Sequence, residues 1–134
     1  MNNKKVYIIG GPNGTGKTTF VQKYLPEYAH VKNFVNADYI ASGLSPFNSS
    51  VIAFKAGKMM LQLIEEYKKK KVSFGFESTL AGKNWLKLID ELKRLLNFCI
   101  FLFKMTNLRN FKNYFFLKKQ WVRKNLIIQE RYYQ

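Results

Sequence analysis

Cysteine and histidine occur once each in this 134-residue chain, and acidic side chains occur only 8 times against 23 lysines and arginines. A lone cysteine excludes an internal disulfide. Lying within the apolar run Phe98-Cys99-Ile100-Phe101-Leu102-Phe103, Cys99 reads as a small buried hydrophobe. His30 has no second histidine or cysteine with which to share a metal, so a zinc-type cluster is excluded and a solvated surface role is expected. No apolar run approaches the ~20 residues of a membrane-spanning helix. The opening Met1-Asn2-Asn3-Lys4-Lys5 leads directly into a short apolar strand rather than a signal-peptide core. A soluble, cytoplasmic protein with no membrane partner is the expectation. Glycine shows a gap of its own: none of the eight follows Gly82.

The scarcity of acid leaves a net charge of +15, unevenly spread. Residues 1–103 carry 15 basic and 7 acidic side chains, whereas residues 104–134 carry 8 basic and 1 acidic. Such a surplus suits phosphate-rich ligands, nucleic acid or an anionic surface. The chain is equally heavy in Lys, Asn, Phe, Ile and Tyr, a mix that A/T-rich coding produces by itself, so basicity alone does not assign a nucleic-acid partner. The length allows one domain with a real core and is too short for two.

What is present most distinctly is Gly11-Pro12-Asn13-Gly14-Thr15-Gly16-Lys17-Thr18, which fits G-x-x-x-x-G-K-[ST] without a mismatch. It stands between an apolar run, Val6 to Ile9, and a helix-compatible run from Thr18 to Leu25. Glycines let the backbone turn tightly with N–H groups facing inward, and the following helix N-terminus adds partial positive charge where phosphates would sit. Gly11, Pro12, Asn13, Gly14, Thr15, Gly16, Lys17, Thr18 and Thr19 are therefore the expected ATP-binding residues. Lys17 would reach the β- and γ-phosphates, and the Thr18 hydroxyl would ligate Mg2+.

Beyond the loop, strand and helix alternate as far as residue 103. The pattern predicts a helix ended by Pro26, a strand Phe34 to Asp38, and a loop with Gly43 and Pro46. Asn48-Ser49-Ser50 then reads as the N-cap region of a long helix carrying Ile52, Met59, Met60, Leu63, Ile64 and Tyr67 at helical spacing. That helix closes on Lys68 to Lys71. There follow a strand Val72 to Glu77, a helix Gly82 to Leu96 and a strand Phe98 to Phe103. This is the pattern of a P-loop NTPase-type α/β three-layer sandwich with a mostly parallel sheet, incomplete at the C-terminal end, in a single domain spanning residues 1–134. Beyond Lys104 it loses definition, and Tyr114 to Gln134 reads as one or two basic, aromatic-rich helices.

In open α/β sheets ligands bind beyond the carboxyl ends of the strands, which is where Asp38 and Glu77 fall beside the loop. One carboxylate could take a proton from an acceptor hydroxyl, and the other could bind Mg2+ through water or hold the acceptor. The plainer alternatives are a helix cap for Asp38, ahead of Tyr39-Ile40-Ala41, and an ordinary strand-end acid for Glu77.

Three segments taken together, Gly10 to Phe20, Phe34-Val35-Asn36-Ala37-Asp38-Tyr39-Ile40-Ala41 and Phe76-Glu77-Ser78-Thr79-Leu80, resemble zeta-toxin-like P-loop kinases in order and spacing. The resemblance covers residues 4–103. It implies a toxin of a toxin–antitoxin system, with an antitoxin protein as partner. The activity it implies is transfer of the ATP γ-phosphate to the sugar 3′-hydroxyl of UDP-N-acetylglucosamine. Asp38 then looks like the general base, Lys17 the phosphate-binding lysine, Thr18 the Mg2+ ligand, and Glu77 with Thr79 the contacts to the nucleotide sugar. Relatives of this kind continue with an arginine-bearing lid, a Gly-Gly-His segment and an Ile-x-Arg-Arg-Tyr stretch. Here only Ile128-Gln129-Glu130-Arg131-Tyr132-Tyr133 resembles the last of these, and residues 104–134 read as a divergent basic tail. Arg109 and Arg123 match the lid in position alone. An arginine on the transferring phosphoryl group is worth ~10³ to 10⁵ in rate, so a chain without it could bind ATP yet transfer phosphate poorly. A basic single-strand nucleic-acid module, with Phe111, Tyr114, Phe115, Phe116 and Trp121 among the tail lysines and arginines, is the remaining alternative.

Overall fold

The computed structural model describes residues 4–48, 51–80, 83–104 and 128–132, with 98–104 and 128–132 as backbone alone. Its elements run β1 Lys5–Gly10, α1 Lys17–Glu27, β2 Phe34–Asn36, α2 Ala37–Leu44, α3 Ala53–Lys70, β3 Phe74–Ser78, α4 Asn84–Leu95, β4 Asn97–Lys104 and β5 Ile128–Tyr132. The five strands form one sheet in the order β2-β3-β1-β4-β5, and every pairing is parallel.

Alternation along β1 explains the layers. Val6 and Ile8 point to one face with Phe74 and Phe76 of β3, where Met60 and Ile64 of α3 and Ile89 and Leu92 of α4 cover them. Tyr7 and Ile9 point to the other face, against Val21 and Leu25 of α1. A parallel sheet covered on both sides by helices is the three-layer α/β sandwich expected from the sequence. Gly75 lies between the two phenylalanines and faces α1. A Cβ there would stand 2.8 Å from Leu25 Cδ1, so the glycine sets how closely α1 approaches the sheet.

Several boundaries differ from the sequence reading. Pro26 does not stop α1; it sits inside the last turn, and the helix ends one residue later at Glu27. The second strand stops at Asn36, and the expected loop with Gly43 is a short helix, α2. The long helix begins at Ala53 with no side-chain cap, so the N-cap reading of Asn48 fails; Ser49 and Ser50 lie outside the described residues. The tail holds a larger correction. Ile128–Tyr132 is a strand paired to β4, not part of a basic helix, because a parallel partner with open hydrogen-bonding groups overrides the helix propensity of Gln, Glu and Arg. Its charged centre suits an edge strand. Residues 105–127, with Arg109, Arg123 and the aromatic cluster, lie outside the described residues, as does the Cys99 side chain. Among the described residues no helix is long and apolar enough to cross a membrane.

Candidate active site

β1 ends at Gly10 and hands the chain to the phosphate loop, which returns as the first turn of α1. Gly14 and Gly16 both hold left-handed backbone conformations, with φ of 76° and 83°. At Gly14 a Cβ would meet nothing within 4 Å, so it is the torsion rather than crowding that requires glycine. Thr15 Oγ1 donates to the Pro12 carbonyl at 2.8 Å and ties the loop across its neck. Lys17 Nζ lies under the arch and donates to the carbonyls of Gly11 at 2.8 Å and Pro12 at 2.7 Å. The loop is joined to β3 by a bond from Gly11 N–H to the Ser78 carbonyl at 3.3 Å.

Lys17 and Thr15 are only 5% and 3% exposed. Burial lowers the Lys17 pKa from its ordinary value, and the negative charges of Glu77 and Asp38 oppose that shift. The lysine is thus desolvated and feels the charge of two carboxylates.

Glu77, near the carboxyl end of β3, accepts from Thr18 Oγ1 at 3.1 Å and 3.3 Å on its two oxygens. Burial raises its pKa, an effect opposed by the Lys17 charge and the Thr18 bond, reinforced by the Asp38 charge, and opposed by a hydrogen bond with Asn36. The resemblance implies that Glu77 contacts an acceptor sugar, while the residues by themselves leave open whether it holds the acceptor or serves Mg2+. The structure brings it first to Thr18, the residue expected to hold Mg2+.

Asn36 is the residue that the sequence reading left without a role. Its Oδ1 accepts from Asp38 N–H at 2.8 Å and Tyr39 N–H at 3.4 Å, making Asn36 the N-cap of α2. Asp38 is therefore not the cap. It occupies the first turn of α2, where a negative charge suits the helix N-terminus, and its side chain is exposed on the wall of a cavity. The signal was available: an Asn directly ahead of Ala37-Asp38-Tyr39-Ile40, with an acid in the first turn, is a helix start.

The cavity measures about 640 Å³ and lies between β3, α2, α3 and α4. Asn13, Lys17, Asp38, Glu77 and Thr79 line its phosphate-loop end. Phe54, Lys58 and Leu61 of α3 with Asn84 and Trp85 of α4 also line it. Trp85 stacks on Phe76 at 5.6 Å between centroids, so it is a fixed wall. Phe54 is 77% exposed with Lys58 Nζ 4.8 Å above its ring, an open aromatic surface with a cation attached. None of these α3 and α4 residues stood out in the sequence, since aromatic and apolar residues at helical spacing read as core. At the rim, Leu80 holds a φ of 54° while its N–H is taken by Ser78 Oγ at 3.0 Å, which turns the chain sharply after Thr79. Thr19 faces solvent on α1.

The donor set bears on magnesium. Among the described residues there is no group of three His, Cys, Asp or Glu side chains able to hold a metal by themselves. Mg2+ is commonly bound by one or two protein ligands plus substrate phosphates and waters, which Thr18 and Glu77 can accommodate. The Thr18 hydroxyl directs its proton at Glu77, and so its lone pairs stay available to a cation.

No protein-family model matches the sequence, and no curated protein matches it. Solved structures do. A putative kinase from Chloroflexus aurantiacus superposes with a TM-score of 0.65 at 14% identity, over 97% of this chain and 74% of that one. A chain of the PezAT chromosomal toxin–antitoxin system of Streptococcus pneumoniae gives 0.64 at 17% identity, over 93% of this chain and 57% of that one. Shikimate kinase from Aquifex aeolicus gives 0.55 at 17% identity, over 96% and 85%. The chain thus spans little more than half of the toxin–antitoxin chain that it matches. At such identities the likeness is one of fold, an α/β three-layer sandwich with a parallel sheet.

Proposed function

We propose that the protein is an ATP-dependent phosphotransferase whose acceptor is a nucleotide sugar such as UDP-N-acetylglucosamine. The observation that carries this reading is a cavity lined by Lys17, Glu77 and Asp38 together with the aromatic residues Phe54 and Trp85. Its volume lies within the range of small-ligand sites. A planar base could stack against Phe54 or Trp85, and Lys58 could meet a diphosphate, placing a sugar hydroxyl near Asp38.

Loop N–H groups and Lys17 would hold the β- and γ-phosphates of ATP, and Thr18 with Glu77 would hold Mg2+, which neutralises charge on the phosphates when bound. Asp38 would accept the proton of the acceptor hydroxyl as its oxygen bonds to the γ-phosphorus. The bond from that phosphorus to the β–γ bridging oxygen breaks, and ADP leaves with the electron pair. The kinase-type neighbours support phosphoryl transfer as the reaction class, and the toxin–antitoxin neighbour supports an antitoxin-like partner chain as part of the same reading.

Incubation with magnesium-ATP and UDP-N-acetylglucosamine, followed by mass spectrometry, tests the proposal. The expected product is the nucleotide sugar carrying one additional phosphoryl group, formed by the wild type and lost in Asp38→Asn. ATP binding without any phosphorylated sugar would overturn the acceptor assignment while sparing the nucleotide site.

A further inference from the structure

Among the described residues the buried polar side chains are Thr15, Lys17, Asn36 and Lys68. Lys68 is bound by Glu65 and Glu91, and Thr15 and Lys17 by carbonyls of the phosphate loop. Asn36, 6% exposed, differs from these: its bonds run to two separate parts of the candidate site.

Asn36 ends β2, and its Cα pairs with that of Glu77 on β3. Neighbouring strands lie about 4.8 Å apart and turn matched side chains to the same face, so a short amide can reach a carboxylate across the gap. The two ends of that amide do different work. Oδ1 accepts from the Asp38 N–H at 2.8 Å and the Tyr39 N–H at 3.4 Å, which starts α2. The NH2 end donates to the Glu77 carboxylate, whose oxygens also receive the Thr18 hydroxyl. One planar side chain thus joins the head of α2 to the end of β3.

Capping explains only half of this. A cap needs one oxygen, which Ser, Thr or Asp supplies as well as Asn. The second half, an amide donor for Glu77, has a use of its own. Glu77 feels the positive charge of Lys17, and a carboxylate free to rotate would be drawn towards that cation and away from Thr18. We infer that Asn36 is a positioning residue: its NH2 group keeps the Glu77 carboxylate beside Thr18, while its Oδ1 keeps Asp38 at the head of α2. The inference rests on the reading of Thr18 and Glu77 as the Mg2+ side of the site and of Asp38 as the base.

Asn36→Ser separates the two halves, because the serine hydroxyl can cap α2 but stops one bond short of the amide nitrogen that serves Glu77. Isothermal titration with ATP, in the presence and absence of magnesium, tests it. Affinity without magnesium should match the wild type, and the gain that magnesium adds should fall ~10-fold, the worth of one charge-assisted hydrogen bond. In urea, Asn36→Ser should unfold closer to the wild type than Asn36→Ala, which has neither half. In a Glu77→Ala background the serine change should remove no further magnesium gain, a non-additivity that a cap alone does not produce. A magnesium gain unchanged in Asn36→Ser, or reduced equally in both backgrounds, overturns the inference. Asn36→Thr, bulkier and likewise a cap, repeats the test should serine unfold the protein. The contact is also read without nucleotide: the Asn36 side-chain amide signals in nitrogen-15 spectra should shift in Glu77→Ala, and signals that stay in place overturn the inference too. That measurement stands apart from the reading beneath it. If magnesium added nothing to ATP binding by the wild type, the Mg2+ role of Thr18 and Glu77 would fall, and the amide signals would still decide whether Asn36 holds Glu77.

Discussion

At the scale of single residues, three side chains divide the expected chemistry. Lys17 is desolvated within its loop, where Gly11 and Pro12 carbonyls hold it. Lys17→Ala should weaken magnesium-ATP binding by ~10- to 100-fold or more, the worth of a charge-assisted contact, as read by isothermal titration. Asp38 contributes no cap, so Asp38→Asn should cost α2 no more than its helix-terminus charge and leave ATP affinity unchanged, yet lower turnover by ~10² or more, the usual range for loss of general-base help. Equal rates in the two proteins would reduce Asp38 to a helix-terminus charge. Glu77 makes a pH prediction. Burial raises its pKa above the ordinary 4.5, so the folded protein holds that proton more tightly than the unfolded chain does. The stability linked to this proton is fully present below pH 4.5, falls as pH rises through the raised value, and is absent above it. Glu77→Gln cannot lose a proton and should flatten that fall. Urea denaturation of both proteins from about pH 4 to about pH 8 checks it, and parallel profiles would show that Glu77 titrates alike in both states.

At the scale of elements, Gly75 governs how α1 meets the sheet. Leu25 is 1% exposed and Gly75 is buried, so the methyl of Gly75→Ala, 2.8 Å from Leu25 Cδ1, has no room unless the Leu25 side chain or α1 shifts. A loss of about 1–3 kcal/mol is expected, as for overpacking generally. Gly75→Ala combined with Leu25→Ala should lose less than the sum of the two single changes, and strict additivity would show that the two sites do not meet. The same elements show what the sequence disclosed. β1 and the loop after it were legible because apolar residues run unbroken into a glycine spacing that few other structures require. α3 and α4 were legible from long helical periods. α2 was not, since eight residues containing Gly43 give only two turns and the preceding apolar run masks the Asn36 cap. β5 was missed for a different reason: its Gln-Glu-Arg centre has helix propensity, and only the partner strand, distant in sequence, makes it extended. The α3 and α4 lining of the cavity was hidden because Phe54, Lys58 and Trp85 come from two helices whose spacing around β3 no local pattern encodes.

At the scale of the whole molecule, the net charge of +15 opposes compaction, and phosphate ligands and salt should both act against that opposition. They do so by different routes. Added salt screens repulsion between surface cations beyond roughly 10 Å at about 0.1 M, so the melting temperature of the unliganded protein should rise between about 0.02 M and about 0.2 M sodium chloride. Magnesium-ATP stabilises by mass action, by about 2.7 kcal/mol at a free concentration one hundred times its dissociation constant. For a chain of this length that corresponds to a rise of about 10 °C. The two effects separate in Lys17→Ala. Its salt response should match the wild type, because one buried charge hardly alters the surface field, while its response to magnesium-ATP at the same concentration should fall to a few degrees or less. Differential scanning calorimetry at fixed ionic strength measures both. A wild type that gains nothing from magnesium-ATP beyond what the same ionic strength of sodium chloride provides would mean that the loop holds no nucleotide, and the phosphotransferase reading would fall with it.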